Sequence, residues 1–296
     1  MMVTLCSGDY EIRVNSMGAE LKSFRRKDGM EFIWNSDPKF WMRSSPLLFP
    51  TIGNVRDNKT MFHGTVYPMP KHGFCKDTEF TLLSRTDCSA TFALKASQQT
   101  LTYYPFLFEL HFTYELQGNK LCMTYHVHNK DTKELPYHIG AHPGFMCPLV
   151  ANEALNDYQL EFEKEEQLEA TLYDLESLCF SSNRKQCFSK EKERLLSLNV
   201  NMFDNDAVFF PYTNSRSVKL VHAVTGNGIQ VDYPDFHSIA FWTPAGGNAP
   251  FLCIEPWNGA AIYDDEDNEF CHKRDLELLP PGSHKTYHLE ISLIGF

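Results

Sequence analysis

The chain has 296 residues, 43% hydrophobic and 14% aromatic, and a formal net charge of −11. That acidic balance excludes the basic footprint of a nucleic-acid-binding protein, and no apolar run reaches the about 18 residues that a membrane-spanning helix needs. Nine cysteines stand singly without a CxxC pair, a pattern of free thiols in a reducing compartment rather than of a disulfide framework or a zinc site.

The N-terminus, Met1-Met2-Val3-Thr4-Leu5, lacks the basic flank and apolar run of a signal peptide, so a cytoplasmic protein is expected. Short alternating runs follow, broken by turn residues. Tyr10 to Val14 is closed by Asn15-Ser16-Met17-Gly18, and Ala19 to Phe24 by Lys27-Asp28-Gly29, where Asp-Gly signals a hairpin. Glu31 to Trp34 reads as the next strand. Further runs are Glu79 to Leu83, Ala90 to Ala96, Phe106 to Leu116 and Leu121 to Asn129, the last two joined by the turn Gln117-Gly118-Asn119-Lys120. Gln159 to Glu163, Ala207 to Phe210, Ser217 to His222, Gly228 to Asp232, Ser238 to Thr243, Ala249 to Glu255 and Lys285 to Leu293 complete the set. Two stretches read otherwise: Phe188 to Leu196 is charge-rich, as a loop or helical turn, and Asp264 to Arg274 reads as an exposed loop or short helix. With no linker, repeat or low-complexity segment, the pattern predicts one all-β domain over 1–296, a sandwich or barrel. The 23 phenylalanines and 13 tyrosines suit its pleated, half-buried surfaces.

Two segments carry candidate chemistry. His142 lies in Ile139-Gly140-Ala141-His142-Pro143-Gly144-Phe145, where the following proline favours an extended backbone. Glu255 closes an apolar run and precedes Pro256-Trp257. A carboxylate there is costly unless paired or used, and a raised pKa would suit a general base. A hydrogen-bonded core histidine and a salt-bridged edge carboxylate are the plainer alternatives. Together the two residue types suffice to deliver a proton to one oxygen while removing one from another.

Other candidates are weaker taken singly. His72, in Pro70-Lys71-His72-Gly73-Phe74, is a turn histidine or an orienting group. Asp206 terminates a strand or accepts from two hydroxyls at once. Trp257 belongs to the core or stacks on a sugar face. Asp204-Asn205-Asp206 resembles a fragment of a calcium loop, but no ligand series continues it, so no metal is expected. His126 and His128 read as surface neighbours on one strand.

The segments Gly18-Ala19-Glu20-Leu21, Pro46-Leu47-Leu48-Phe49-Pro50-Thr51-Ile52-Gly53, His72-Gly73-Phe74, Ile139 to Phe145, Asn205-Asp206-Ala207 and Cys253-Ile254-Glu255-Pro256-Trp257-Asn258-Gly259 occur in that order. In this the chain resembles the aldose 1-epimerase (galactose mutarotase-like) superfamily, most closely its LacX-like branch. The resemblance implies a large antiparallel β-sandwich of the supersandwich type. It also implies interconversion of the α and β anomers of an aldose without a cofactor. The residue at His142 would protonate the ring oxygen, and that at Glu255 would take the anomeric hydroxyl's proton. His72 and Asp206 would hold sugar hydroxyls.

Two departures bear on the substrate. Asn54 follows Gly53 where relatives carry arginine, with Arg56 two residues on, and Lys76 replaces a further arginine after His72-Gly73-Phe74. Both exchange a forked cation for a smaller or more point-like group. His138 stands where a small polar residue is common and is expected to narrow or re-polarise the cleft. Lys71 and Lys76 leave open a phosphorylated or anionic sugar as substrate, and a carbohydrate-binding protein without turnover is a further alternative. A sugar is the expected partner, with no nucleic acid or membrane, and the protein is expected to be a monomer or homodimer.

Overall fold

Alternation along Phe108–Gln117 and Lys120–Asn129 sends Phe108, Leu110, Phe112, Tyr114 and Leu116 from the first strand to one buried face, together with Leu121, Met123, Tyr125 and Val127 from the second. The two strands pair antiparallel through a Gly118-Asn119 turn in which Gly118 has φ +59°. The computed structural model describes residues 1–247 and 249–296, and the same grammar repeats through it.

The main sheet runs in the order Leu47–Leu48, Ile139–Ala141, Phe251–Asn258, Ser238–Trp242, Val208–Phe210, Tyr158–Asp174, Ser217–His222, Gly228–Asp232, His284–Ile294, Lys120–Asn129, Phe108–Gln117, Ser89–Lys95 and Thr81–Arg85. Gly144–Met146 adds to Phe251–Asn258, and Cys179–Ser197 adds to Tyr158–Asp174. A separate three-stranded sheet comprises Met2–Ser7, Tyr10–Asn15 and Glu20–Arg26. Tyr125 and Val127 from one half of the main sheet share a single apolar cluster with Ile239, Phe241, Leu252 and Ile254 from the other. The halves therefore face each other as a β-sandwich around a common core.

Two elements differ from expectation. Phe188 to Leu196 is not a loop: it lies within the 19-residue strand Cys179–Ser197, which pairs with a 17-residue strand, Tyr158–Asp174, anticipated only over Gln159 to Glu163. The second strand of this hairpin is mostly exposed and has no buried face to impose alternation. Its lysines, glutamates and arginines discourage pairing with another chain. Glu31 to Trp34 forms only isolated bridges, Arg25 with Glu31 and Ile33 with Phe145. There the Glu31 carboxylate accepts from the backbone N–H of Phe24, Phe32 and Ile33 at 2.8, 3.1 and 3.1 Å, while the Phe32 N–H also reaches the Phe24 carbonyl at 2.9 Å and the Trp34 N–H the Gly144 carbonyl at 2.9 Å. The segment from Asp264 to Arg274 holds turns and a short 3₁₀ helix, Phe270–His272.

The strand Phe251–Asn258 positions the site. It is buried on both faces: Leu252 and Ile254 enter the main core, while Phe251 and Cys253 join a cluster with Trp34. Trp257, on that second face, packs with Phe209 and Phe180. Glu255 shares the face with Cys253 and Trp257 by the two-residue period of a strand. Among the described residues, no helix is long and apolar enough to cross a membrane.

Candidate active site

Strand register brings the two proton-transfer candidates together. Gly140 pairs with Trp257 and Gly144 with Cys253, so the intervening His142 falls opposite Glu255. The segment is pinned by the Gly144 N–H, which donates to the Ser44 carbonyl at 2.7 Å, and by the Ile254 N–H, which donates to the Pro143 carbonyl at 3.1 Å. His142 Nε2 lies 3.2 Å from Glu255 Oε2, and the side chains are 8% and 1% exposed. Trp41 stacks on the imidazole at 4.8 Å between ring centroids, and Trp242 meets it edge-on at 5.9 Å.

His72 approaches from a second loop, 5.5 Å from His142 between ring centroids. Its Nδ1 accepts the Gly53 N–H at 3.0 Å, which assigns the ring proton to Nε2. Both His72 and Asp206 have positive φ, +65° and +70°, a conformation that non-glycine residues hold only when their surroundings impose it. For His72 the imposition is visible next door. Gly73 has φ +73°, and a Cβ there would lie 2.0 Å from the Phe49 carbonyl oxygen. Only glycine lets the loop close so tightly against the Phe49-Pro50 segment.

His142, Glu255, His72, Asp206, Asn54, Lys76 and Trp257 all line one pocket of about 270 Å³. This lies just below the roughly 300–1,000 Å³ typical of ligand pockets. The Asn54 amide donates to the Tyr173 hydroxyl at 2.8 Å. The Lys76 ammonium donates to the Gly73 carbonyl and to Asp77, each at 2.8 Å. Trp257 is a wall rather than an open platform, 3% exposed and 5.2 Å from the Phe209 ring.

Sequence reasoning missed Trp41, Trp242, Arg43 and Tyr173, which also line the pocket. Arg43 donates to the Lys76 carbonyl at 2.8 Å and pairs with Asp77 and Glu20, so a guanidinium reaches the rim from a segment without a recognisable motif. His138 departs from expectation: it does not line the pocket. Its Nε2 lies 2.9 Å from the Arg274 carbonyl, and its ring packs where a Cβ on Gly259 would fall.

Burial dominates the electrostatics. It lowers His142 to about 3, with the Lys71 charge adding to the effect. His72 is driven well below its ordinary value by burial and then by the neighbouring charges at His142, Lys71 and Lys76. Glu255 is pushed well above the carboxylate range by burial and then by Asp206, against the pull of Lys71 and the Trp257 indole. The His142–Glu255 pair thus rests with one proton, on the carboxyl rather than on the imidazole.

The large antiparallel sandwich is of the galactose mutarotase-like class. The sequence matches the family described as Aldose 1-epimerase over residues 1–270, and the chain belongs to that family of isomerases. It is 32% identical to the plasmid and chromosomal forms of Protein LacX from Lactococcus lactis subsp. lactis, covering 98% of this chain and 99% of each relative. A galactose mutarotase-like protein from Lactobacillus casei superposes with a TM-score of 0.91 at 28% identity, covering 99% of this chain and 100% of that one. A galactose mutarotase related enzyme from Lactobacillus acidophilus gives 0.89 at 26% identity, covering 99% and 97%.

Proposed function

We propose that the protein interconverts the α and β anomers of an uncharged aldohexose, with His142 as general acid and Glu255 as general base. The observation that carries this reading is the 3.2 Å contact of His142 Nε2 with Glu255 Oε2 in a pocket sized for one sugar ring. Ring opening delivers a proton from His142 to the ring oxygen as Glu255 takes the proton of the anomeric hydroxyl. Rotation about the bond to the next carbon and closure with both transfers reversed gives the other anomer. The pair holds one proton throughout, so the buried site never gains net charge. The resting proton sits on the carboxyl, and it crosses to the imidazole once sugar hydroxyls and Lys71 solvate the carboxylate. Positioned acid–base groups of this kind contribute roughly 10²–10⁴-fold each.

The remaining residues orient the ring. His72 donates through Nε2, Asp206 accepts from two hydroxyls, and Asn54 and Lys76 offer donors at the rim. Trp257, with Trp41 and Trp242, supplies apolar walls. Preference for an uncharged sugar follows from the state of the cations. Lys76 and Arg43 are tied to Asp77, Arg43 also to Glu20, and the Lys71 ammonium stands 3.9 Å from Asp206. A phosphate entering here would meet carboxylates wherever it met ammonium or guanidinium groups. The same reading takes residues 1–296 as one domain, a monomer or homodimer in the cytoplasm, where free thiols such as its nine are at home.

The test follows the relaxation of freshly dissolved α-D-glucose and α-D-galactose by polarimetry or NMR exchange, with wild type and Glu255→Gln. Acceleration by wild type that is lost in the variant is the expected result. Acceleration that survives the substitution would refute the mechanism. Sugar binding without acceleration would mean a binding protein on an isomerase's fold.

A further inference from the structure

The strand Phe251–Asn258 turns Cys253 to the same face as Glu255, two residues away, and the register that sets His142 opposite Glu255 sets Gly144 opposite Cys253. A nitrogen, a sulfur and a carboxylate oxygen therefore converge. One ligand atom each from His142, Cys253 and Glu255 lie within 4.8 Å of one another, and all three residues are buried. Along the sequence these residues have no metal-ligand spacing, because a strand pairing joins them.

We propose that these three side chains form a regulatory site for a borderline-soft divalent cation such as zinc, whose binding switches the acid–base pair off. Zinc takes imidazole nitrogen and carboxylate oxygen at about 2.0–2.2 Å and thiolate sulfur at about 2.3 Å. Ligand atoms within 4.8 Å of one another stand close to the spacing that such bond lengths set around a single tetrahedral ion. The charge also balances. A dication with one thiolate, one carboxylate and one neutral imidazole sums to zero, which a buried pocket floor tolerates far better than an unpaired ion. Binding releases two protons to solvent, one from the Cys253 thiol and one from the Glu255 carboxyl, so the ion replaces two protons and no electrons move.

Three protein ligands leave a fourth tetrahedral position free. His142 and Glu255 line the pocket, with Cys253 buried behind them, so the ion has a way in from that side. Both proton-transfer atoms are then ligands, and neither can serve a sugar. Among the described residues His142 Nδ1 has no hydrogen-bond partner. The carboxylate or carbonyl that usually steadies a zinc-bound imidazole from behind is therefore missing. Weaker, reversible binding follows, which suits an inhibitor rather than a resident cofactor.

The inhibition rests on the catalytic roles proposed above; the binding does not, and cobalt(II) tests it separately. Chelator-stripped full-length protein titrated with Co²⁺ should gain a thiolate-to-cobalt charge-transfer band in the near ultraviolet at one equivalent, bleached by Zn²⁺. Cys253→Ser should lose that band and keep metal-free anomer exchange. It should also need at least roughly 10–100-fold more Zn²⁺ for half-inhibition, the cost of losing even a supporting residue. No band up to millimolar Co²⁺ would overturn the site. So would a band or a Zn²⁺ sensitivity unchanged in Cys253→Ser, which would assign the effect to exposed thiols such as Cys6, Cys187 or Cys271. If thermal melting shows that Cys253→Ser does not fold, His142→Gln, which keeps the buried thiol, decides in its place. A band lost there supports the site, and one retained overturns it. Absence of anomer exchange in metal-free wild type would sink the catalytic reading and leave the cobalt band to decide this one.

Discussion

Glu255→Gln should move activity and stability in opposite directions. The side chain is 1% exposed, its Oε1 has no partner among the described residues, and burial holds its proton well above the ordinary value of 4.5. The folded carboxyl therefore keeps a proton that the unfolded chain has released. Stability then falls as pH rises above the unfolded value, by up to about 1.4 kcal/mol per pH unit until the folded group itself ionises. Glutamine has the same shape and no proton to lose, and its amide can donate to His142 Nε2 across the 3.2 Å contact.

The variant should therefore match wild type below about pH 4.5 and be more stable above it. The gap should widen as pH rises from about 5, with a slope of up to about 1.4 kcal/mol per unit, for as long as the folded carboxyl keeps its proton. Over the same range anomer exchange should fall by roughly 10²–10⁴-fold, the contribution of one positioned base. Urea denaturation across pH, in chelator-containing buffer, measures the first quantity, and polarimetry measures the second. A stability gap independent of pH would refute the claim that this carboxyl is neutral in the folded protein. A rate within a few-fold of wild type would refute its role as base.

The pair's proton count predicts a broad plateau in kcat/KM, checked by a pH–rate profile. Its acid limb lies where His142 takes a second proton, at about 3, and its alkaline limb where the raised Glu255 loses its own; an acid limb near 6.5 would show an imidazole that titrates as though in water. His72→Ala removes one Nε2–H donor and should raise KM by about 2–10-fold, the worth of a typical hydrogen bond, with kcat nearly unchanged. A comparable loss in kcat would make His72 part of the chemistry. Gly73→Ala must relieve a Cβ placed 2.0 Å from the Phe49 carbonyl at φ +73°. It should lower thermal stability by about 1–3 kcal/mol, and an unchanged Tm would contradict the close approach.

The alternating strands were legible because burial on one face writes a period of two into the sequence. Phe108–Gln117 and Lys120–Asn129 differ from the expected runs, Phe106 to Leu116 and Leu121 to Asn129, by no more than two residues at any end. Cys179–Ser197 was not legible for the converse reason: with few buried positions, its residues answer to solvent and to edge protection, and such a strand carries the composition of a loop. Glu31 to Trp34 failed in the other direction. Its apolar residues are buried, but its backbone donors divide among the Glu31 carboxylate and the carbonyls of Phe24 and Gly144, on two different neighbours, rather than along one ladder.

The site divides along similar lines. His142, Glu255, His72 and Asp206 stand beside prolines, glycines or strand ends, where local sequence restricts the backbone and so advertises a side chain held for a purpose. Trp41 and Arg43 lie in a segment with no such signature, and their place follows from contacts made far along the chain: Trp41 against His142, Arg43 against Asp77 and Glu20. These contacts bear directly on the chemistry. The ring stacked on His142 helps exclude the water that would otherwise ionise the pair, and in the proposed function the ion pairs at the rim weigh against a charged sugar. Motifs thus mark the groups proposed to move protons, whereas the shifted pKa values of those groups belong to the folded surroundings. A pair transplanted with its motifs but without Trp41, Trp242 and the second buried face of Phe251–Asn258 should titrate like any solvent-exposed histidine and glutamate, both largely without the extra proton at neutral pH, so that no proton is left for the pair to share.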